Sequence, residues 1–279
     1  MKKSINHGLI IPEITPDNWV LGGLTGVSGK VINKDGNWIP YVPEIEPQSK
    51  QGIETQACTA YATLSAIETL LEFYGYSVNY SDRYLAIVGK IDPHKGANPH
   101  NIAETIRKIS GCIAEEKLSF SEEIKTVEEY YNIPDTLITQ LLLEGQQWYK
   151  EWEFSHEWVF TSGTPQQKRE KLKEALTKGT VCVSVYAWAE NEKGEYYKPE
   201  NAIDGHWVVL TNVFEDSYTI FDSYDGYFKK LVKDFDFSLA KIYYLKKKEF
   251  KKRGFFNFLK LSFYDIIRKI WHLILRHTI

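Results

Sequence analysis

Cysteine is scarce in this chain, and its scarcity argues against a disulfide framework or a zinc-bound domain. Only three cysteines occur among 279 residues, at positions 58, 112 and 182. They are scattered, with no CxxC pair and no histidine–cysteine cluster spaced for a metal. We therefore expect no metal or other cofactor, and we predict that Cys112 and Cys182 are buried thiols rather than a disulfide.

The chain also lacks a dominant charge, a long leading apolar run and any internal repeat. Its formal net charge is −3, which gives no overall signal for nucleic-acid binding. The first apolar run, at residues 5–12, is far too short for a signal peptide, so a cytoplasmic location is expected. Hydrophobic residues make up 43% of the chain and aromatic residues 14%, which is enough for a large core in one large or two small domains.

Cys58 stands where a turn-prone polar run gives way to a helix. The apolar residues after it recur at helical spacing as far as Gly75, which is a plausible stop. A thiol at a helix N-terminus faces unpaired backbone N–H groups and the positive end of the macrodipole, and both favour the thiolate. Gln51 and Gln56, just before it, can donate side-chain N–H bonds to an oxyanion. A lone cysteine here is more often a small buried residue, so the rest of the chain must decide.

A hairpin later in the chain supplies the partners that Cys58 needs. His206 leads an apolar strand candidate, a turn follows at residues 215–217, and a second strand at 218–221 ends in Asp222. Antiparallel strands exchange their ends, so His206 and Asp222 are predicted to lie side by side. An imidazole paired to a carboxylate is oriented, and its cationic form is stabilised. A histidine at a strand start is usually structural, but with Asp222 and Cys58 available we interpret it as catalytic.

Further segments fall in a fixed order around these residues. They are Gln51-Gly52 before the cysteine, Tyr61 after it, Ser81 to Leu85, Gly96 to Asn98, Arg169 to Val185, and Asp222-Ser223-Tyr224. The ordered set, over roughly residues 35 to 245, resembles the papain-like cysteine peptidases. The resemblance implies an α+β fold of two lobes, in which a helical lobe carries the nucleophile helix. An antiparallel β lobe would carry the histidine and Asp222.

The resemblance also implies roles for individual residues. Cys58 is the expected nucleophile, His206 its base, and Asp222 the group that orients the imidazole. The oxyanion donor is Gln51 or Gln56; the family pattern favours Gln51, although it stands one residue further from the cysteine than usual. Substrate binding is expected at Gly96, Asn98 and Tyr224.

Two positions depart from the family pattern. Asp222 stands where the family has asparagine, so the orienting partner becomes a carboxylate in place of a neutral amide. Tyr224 stands where the family has a tryptophan, and it can still cover the histidine pair as an aromatic lid. None of the family's disulfide cysteines is recognisable.

The chain is predicted to divide into an arm, a peptidase domain and a tail. Residues 1–48 contain five prolines and read as an extended surface arm, too short and proline-rich to resemble the inhibitory pro-segment of secreted members. Residues 49–245 form the two-lobed domain. Within it, the aromatic-rich, turn-prone stretch 151–165 either lines a substrate cleft or packs between the lobes.

The tail, residues 246–279, combines a basic run with an amphipathic helix candidate. Its apolar residues lie on one face from Phe263 to Ile274. Basic charge beside such a face suits a membrane surface, and the interrupting charges argue against a spanning helix. A groove on a protein partner and packing on the domain itself are the alternatives.

Three functions of different kinds are open at this point. The first is a cysteine peptidase acting on a peptide or protein substrate through a thioester. The second is an enzyme of the bacteriocin-processing or cell-wall amidase kind, which uses the same residue order, although the separation of Cys58 and His206 is long for those compact domains. The third is a catalytically dispensable papain-like fold that serves as a binding or structural module anchored by its tail.

Overall fold

The structure is a computed structural model that describes residues 7–12 and 29–249. Contacts divide the chain into one unit from Met1 to Lys247 and a second from Lys248 to Ile279, and the first is described here. The predicted amphipathic helix of the tail lies outside the described residues. Among the residues that are described, no helix is both long enough and apolar enough to cross a membrane.

Seven α-helices lie in the described part of the first unit. They are α1 (Cys58–Phe73), α2 (Asp82–Val88), α3 (Pro99–Thr105), α4 (Val127–Tyr131), α5 (Asp135–Gly145), α6 (Trp148–Glu151) and α7 (Pro165–Leu176). Helix α1 is buried along nearly its whole length because it packs against the sheet. Two contacts fix it there: Thr180 donates to the Ala66 carbonyl at 2.9 Å, and the Cys182 thiol donates to the Ala62 carbonyl at 3.3 Å.

An eight-stranded sheet forms the other half of the fold, in the order β3-β10-β4-β7-β8-β9-β6-β5. Its strands are β3 (Trp152–Phe160), β4 (Thr180–Val185), β5 (Ala189–Glu190), β6 (Tyr196–Tyr197), β7 (His206–Val213), β8 (Ser217–Phe221), β9 (Phe228–Val232) and β10 (Ala240–Lys247). All neighbours are antiparallel except β6 and β9. A separate hairpin of β1 (Ser49–Lys50) and β2 (Ile53–Glu54) leads into α1. The mixed helix and sheet content confirms the α+β prediction.

Two local expectations differ from the structure. The stretch predicted as turn-prone is mostly strand β3, because its aromatic residues alternate inward along an edge of the sheet. The N-terminal arm is not simply a surface extension either. Trp38 is fully buried, its indole N–H donates to the Leu176 carbonyl at 2.8 Å, and its backbone N–H donates to Thr211. Burial of that one large ring fixes the arm on the domain.

Candidate active site

Cys58 is the first residue of α1, as its sequence context predicts. The approach to it is fixed by the β1–β2 hairpin and by Gln56, whose φ of 56° turns the chain into the helix. The Thr55 hydroxyl, one turn earlier, donates to the Gln48 carbonyl at 2.9 Å. The thiol therefore lies at a helix N-terminus held by a rigid turn, and it has no exposed surface.

His206 and Asp222 meet at the ends of β7 and β8, as the hairpin predicts. Nε2 of His206 lies 2.6 Å from Oδ1 of Asp222, and both side chains are fully buried. Burial alone would raise the pKa of Asp222, but the charge and hydrogen bond of His206, followed by those of Lys229, lower it below its usual value. Asp222 is therefore an ionised carboxylate bound to the imidazole.

Cys58 and the His206–Asp222 pair lie in the same part of the structure. The backbone N–H of Trp207, the residue after His206, favours the Cys58 thiolate, so the sulfur lies close to the start of β7. The Nδ1 atom of His206 is buried and has no hydrogen-bond partner among the described residues. With Nε2 engaged by Asp222, Nδ1 is the ring nitrogen that remains to exchange a proton.

The ionisation of Cys58 differs from the expectation drawn from its helix alone. Burial raises the pKa of the Cys58 thiol, although the backbone N–H groups of Trp207 and Thr59 act in the opposite direction. Desolvation outweighs the helix N-terminus because the sulfur has no contact with solvent. In the arrangement described here, Cys58 is a neutral thiol.

A short N-terminal segment, residues 7–10, covers this site. Its backbone bonds to both sides: His7 N donates to the Gly205 carbonyl at 2.9 Å, Ile10 N donates to the Ala97 carbonyl at 2.9 Å, and Ala97 N donates to the Gly8 carbonyl at 2.8 Å. Leu9 pairs with Ala97 as a parallel bridge. The segment is therefore an extended stretch bonded to Ala97 and Gly205, in contrast to the surface arm expected for residues 1–48.

His7, the first residue of the segment, contacts the His206–Asp222 pair. The His7 ring lies edge-on to the His206 ring with centroids 5.3 Å apart, and its Nδ1 is 2.9 Å from the Tyr224 hydroxyl. Burial, followed by the His206 charge, lowers the pKa of His7 to about 4. His7 therefore occupies the site as a neutral ring.

Tyr224 lies where a lid over the histidine pair was predicted. Its ring is edge-on to His206 at 5.2 Å between centroids. Its hydroxyl donates to the Glu54 carboxylate and lies 2.8 Å from Nε2 of Gln48. These contacts connect Tyr224 to the β1–β2 hairpin that precedes Cys58.

Solved structures share this arrangement of elements. Procathepsin L2 from the larval midgut of Tenebrio molitor aligns with a TM-score of 0.54 at 16% identity, over 86% of this chain and 78% of that one. The Amb a 11 cysteine protease of ragweed pollen, in its proform, aligns with a TM-score of 0.51 at 14% identity, over 79% and 67%. The clostridial cysteine protease Cwp84, after propeptide cleavage, aligns with a TM-score of 0.56 at 13% identity, over 76% of this chain and 57% of that one.

The chain has the papain-like cysteine peptidase fold. No family model and no curated protein sequence matches it. At identities this low, the likeness establishes the fold and leaves the chemistry to the residues of the site.

Within this papain-like fold, the structure does not bring Gln51 to Cys58. Gln51 is exposed at the tip of the β1–β2 hairpin, where its amide oxygen accepts from Lys125 at 2.9 Å and its nitrogen donates to the Glu122 carbonyl at 3.5 Å. Its φ of 54° turns the side chain outward with the hairpin. The alternative, Gln56, remains next to the site, and its side-chain oxygen is buried there without a hydrogen-bond partner among the described residues.

Gln48 is the glutamine that sequence reasoning missed. It is fully buried, and its Nε2 lies 2.9 Å from Oε1 of Glu54 and 3.4 Å from the carbonyl oxygen of His7. Its Oε1 accepts from Ser223 at 2.7 Å. Gln48 precedes the β1–β2 hairpin and is further from Cys58 in sequence than the family pattern suggests for a glutamine. It reaches the site because the fold of β1 and β2 brings it there.

The two predicted substrate-loop residues have different surroundings. Gly96 has a φ of 82°, and a Cβ built on it would lie 1.8 Å from the Gly8 carbonyl oxygen, so the loop contacts the covering segment directly. Asn98 instead caps α3, with its side chain accepting from His100 N at 2.8 Å. A cavity of about 940 Å³ opens beside the segment, with Leu9, Trp188 and Ile203 among its apolar lining residues.

Proposed function

We propose that this chain is a cysteine peptidase whose nucleophile is Cys58 and whose base is His206. One observation carries the proposal. A cysteine at a helix N-terminus lies close to the residue that follows a histidine, and that histidine is paired through Nε2 to a buried carboxylate. That pairing leaves Nδ1 for the thiol proton, which is the arrangement a thiolate–imidazolium pair requires.

The proposed reaction passes through one thioester intermediate, and His206 carries one proton in each half of it. His206 takes the Cys58 proton, the thiolate attacks the amide carbon, and the carbonyl oxygen becomes an oxyanion. His206 then protonates the leaving amine as the C–N bond breaks, which leaves a thioester. Water, deprotonated by His206, attacks the thioester and releases the acid and the free thiol.

The oxyanion would accept hydrogen bonds from the Cys58 backbone N–H and from a glutamine amide. Gln48 is the stronger candidate for that amide, because its Nε2 lies inside the site, 3.4 Å from the His7 carbonyl oxygen; to donate to an oxyanion it would release Glu54 or Tyr224. Gln56 is the alternative, as the glutamine closest in sequence to the nucleophile. The apolar cavity beside Gly205 favours a peptide substrate with an apolar side chain.

The covering segment makes the described arrangement a closed state in this proposal. Two of the solved structures of the same fold are described as proforms, the ragweed allergen and the beetle procathepsin. Here residues 7–10 pair with Ala97 and Gly205 where a substrate backbone would need to bind. Activity therefore requires that the segment leave the cleft.

The test compares thiol reactivity and peptide cleavage in matched cysteine variants. A chain lacking residues 1–12 should react with iodoacetamide and cleave a fluorogenic peptide, and Cys58→Ala should abolish both while leaving the fold intact. Cys112→Ala is the control, because that thiol is also buried but the charged group that acts on it is Glu68. Full turnover by Cys58→Ala would refute the assignment.

The binding-module alternative predicts a different result in the same experiment. The full burial of Cys58 and its raised pKa are the observations that favour it. A module without catalysis would leave the thiol of the shortened chain no more reactive than Cys112, with no peptide cleaved at any pH.

A further inference from the structure

A buried lysine shares the carboxylate that orients the histidine. Nζ of Lys229 donates to Oδ2 of Asp222 at 2.7 Å, while Oδ1 of the same carboxylate faces His206. Lys229 also donates to the carbonyl oxygens of Tyr224, at 3.3 Å, and of Asp225, at 2.9 Å. Its side chain is 3% exposed, so the ammonium group is removed from water together with the carboxylate.

The sheet register places this lysine inward. Lys229 pairs with Ile220 in the β8–β9 ladder, and along β9 the buried positions alternate with exposed ones. An inward position of a strand is normally apolar, whereas the outward neighbour Lys230 meets Glu195 at the surface. A lysine at an inward position is retained only when its charge is paired, and Asp222 supplies the pairing.

The charges of the site explain what this pairing does. Papain-like enzymes have a neutral amide beside the histidine, whereas this chain has a carboxylate, which adds one negative charge at 2.6 Å from the imidazole. Lys229 adds one positive charge on the opposite oxygen. The imidazole therefore faces a partner whose net charge is zero, as it would beside an amide.

We propose that Lys229 is a positioning residue that acts through Asp222: it cancels the charge of the carboxylate and fixes its orientation, so that His206 can accept and return a proton. This proposal rests on the proposed peptidase reaction but is tested separately from it. Lys229 does not touch substrate. The proposal makes Asp222 and Lys229 one functional unit that should be exchanged together.

If Asp222 and Lys229 act as one unit, the effects of substituting them on kcat/KM should be strongly non-additive. Lys229→Met leaves an unopposed carboxylate beside His206, and the midpoint of the His206 titration should rise by about one pH unit or more. Asp222→Asn restores the family's residue but leaves a buried ammonium without its carboxylate, so kcat/KM should fall by about tenfold or more. The double variant Asp222→Asn/Lys229→Met recreates an uncharged amide partner and should recover at least part of that loss.

The decisive measurement is the NMR titration of the His206 ring in a Cys58→Ala background, which requires no catalysis. Lys229→Arg should keep the midpoint of the parent, and Lys230→Met, which removes a surface lysine from the same strand, is the matched control. In active chains, the alkaline limb of the kcat/KM pH profile should move to higher pH in Lys229→Met alone. If Lys229→Met does not fold, Asp222→Asn and the double variant still provide the comparison.

The outcomes separate the two proposals. An unchanged His206 midpoint in Lys229→Met, or a double variant no better than Asp222→Asn, overturns the role of Lys229 even in an active peptidase. A shifted midpoint in a chain that cleaves no peptide supports the charge coupling and counts against the peptidase reading instead.

Discussion

Gly8 is the residue through which the covering segment can be released by a single substitution. Its φ is +105°, and a Cβ built on it would lie 1.9 Å from the Gln56 carbonyl oxygen. Alanine cannot occupy that position without moving the backbone, because the obstructing atom belongs to the main chain. Gly8→Ala should therefore displace residues 7–10 from the cleft without changing the identity of Cys58, His206 or Asp222.

The size of the effect follows from the contacts that are lost. A non-glycine residue with positive φ costs about 1–2 kcal/mol. The four backbone hydrogen bonds of the segment to Gly205 and Ala97 contribute about 0.5–1.5 kcal/mol each. At the lower end of both ranges the total is about 3 kcal/mol, which would shift the equilibrium between covered and open cleft by about 100-fold toward the open form.

The assay is the rate of Cys58 alkylation by iodoacetamide, followed by mass spectrometry, with peptide turnover measured in parallel. Uncovering the sulfur reverses the desolvation that raises the pKa of Cys58, so reactivity near neutral pH should increase as well. Gly75→Ala is the matched control, since Gly75 has a φ of +81° but no atom within 4 Å of an added Cβ.

The covering role of residues 7–10 is refuted if Gly8→Ala reacts no faster than wild type or than Gly75→Ala. That result would mean that the segment does not limit access to the sulfur. A rate increase shared by both variants would point to general destabilisation by positive-φ alanines and not to the cleft.

Three further predictions address other parts of the molecule. Gln48→Ala should lower kcat/KM by about 10²–10³-fold if this amide binds the oxyanion, whereas Gln51→Ala at the hairpin tip should leave it unchanged, and equal rates for both would refute the assignment. Burial, followed by the Lys241 charge, lowers the pKa of His156 to about 2. Below about pH 6.5 the unfolded chain therefore binds a proton at His156 that the folded chain does not bind, and the free energy of unfolding should fall as the pH drops. In urea titrations, His156→Gln should reduce that slope by up to about 1.4 kcal/mol per pH unit and His94→Gln, an exposed control, should not. Removing residues 250–279 should leave cleavage of a small peptide unchanged, and salt-sensitive co-sedimentation of the full chain alone with anionic vesicles would support a membrane role for the tail.

Local patterns determined much of the framework of this protein. The helix beginning at Cys58 follows from a polar turn succeeded by apolar residues at helical spacing. The approach of His206 to Asp222 follows from two short strands and one turn, because a hairpin brings the ends of its strands together. Each of these inferences needs only residues that are near one another in the chain.

Only the tertiary structure decided which distant residues complete the site. Gln51 lies outside the site because a positive-φ turn points it outward, whereas the β1–β2 hairpin brings Gln48 into the site through a geometry that no spacing rule reveals. From the sequence, Lys229 looks like a surface lysine; the register of the sheet places it inward, where it binds Asp222. The segment at residues 7–10 pairs with Ala97 and Gly205, contacts that join widely separated parts of the chain. Such contacts depend on how whole elements pack, and a single sequence carries no local signal for them.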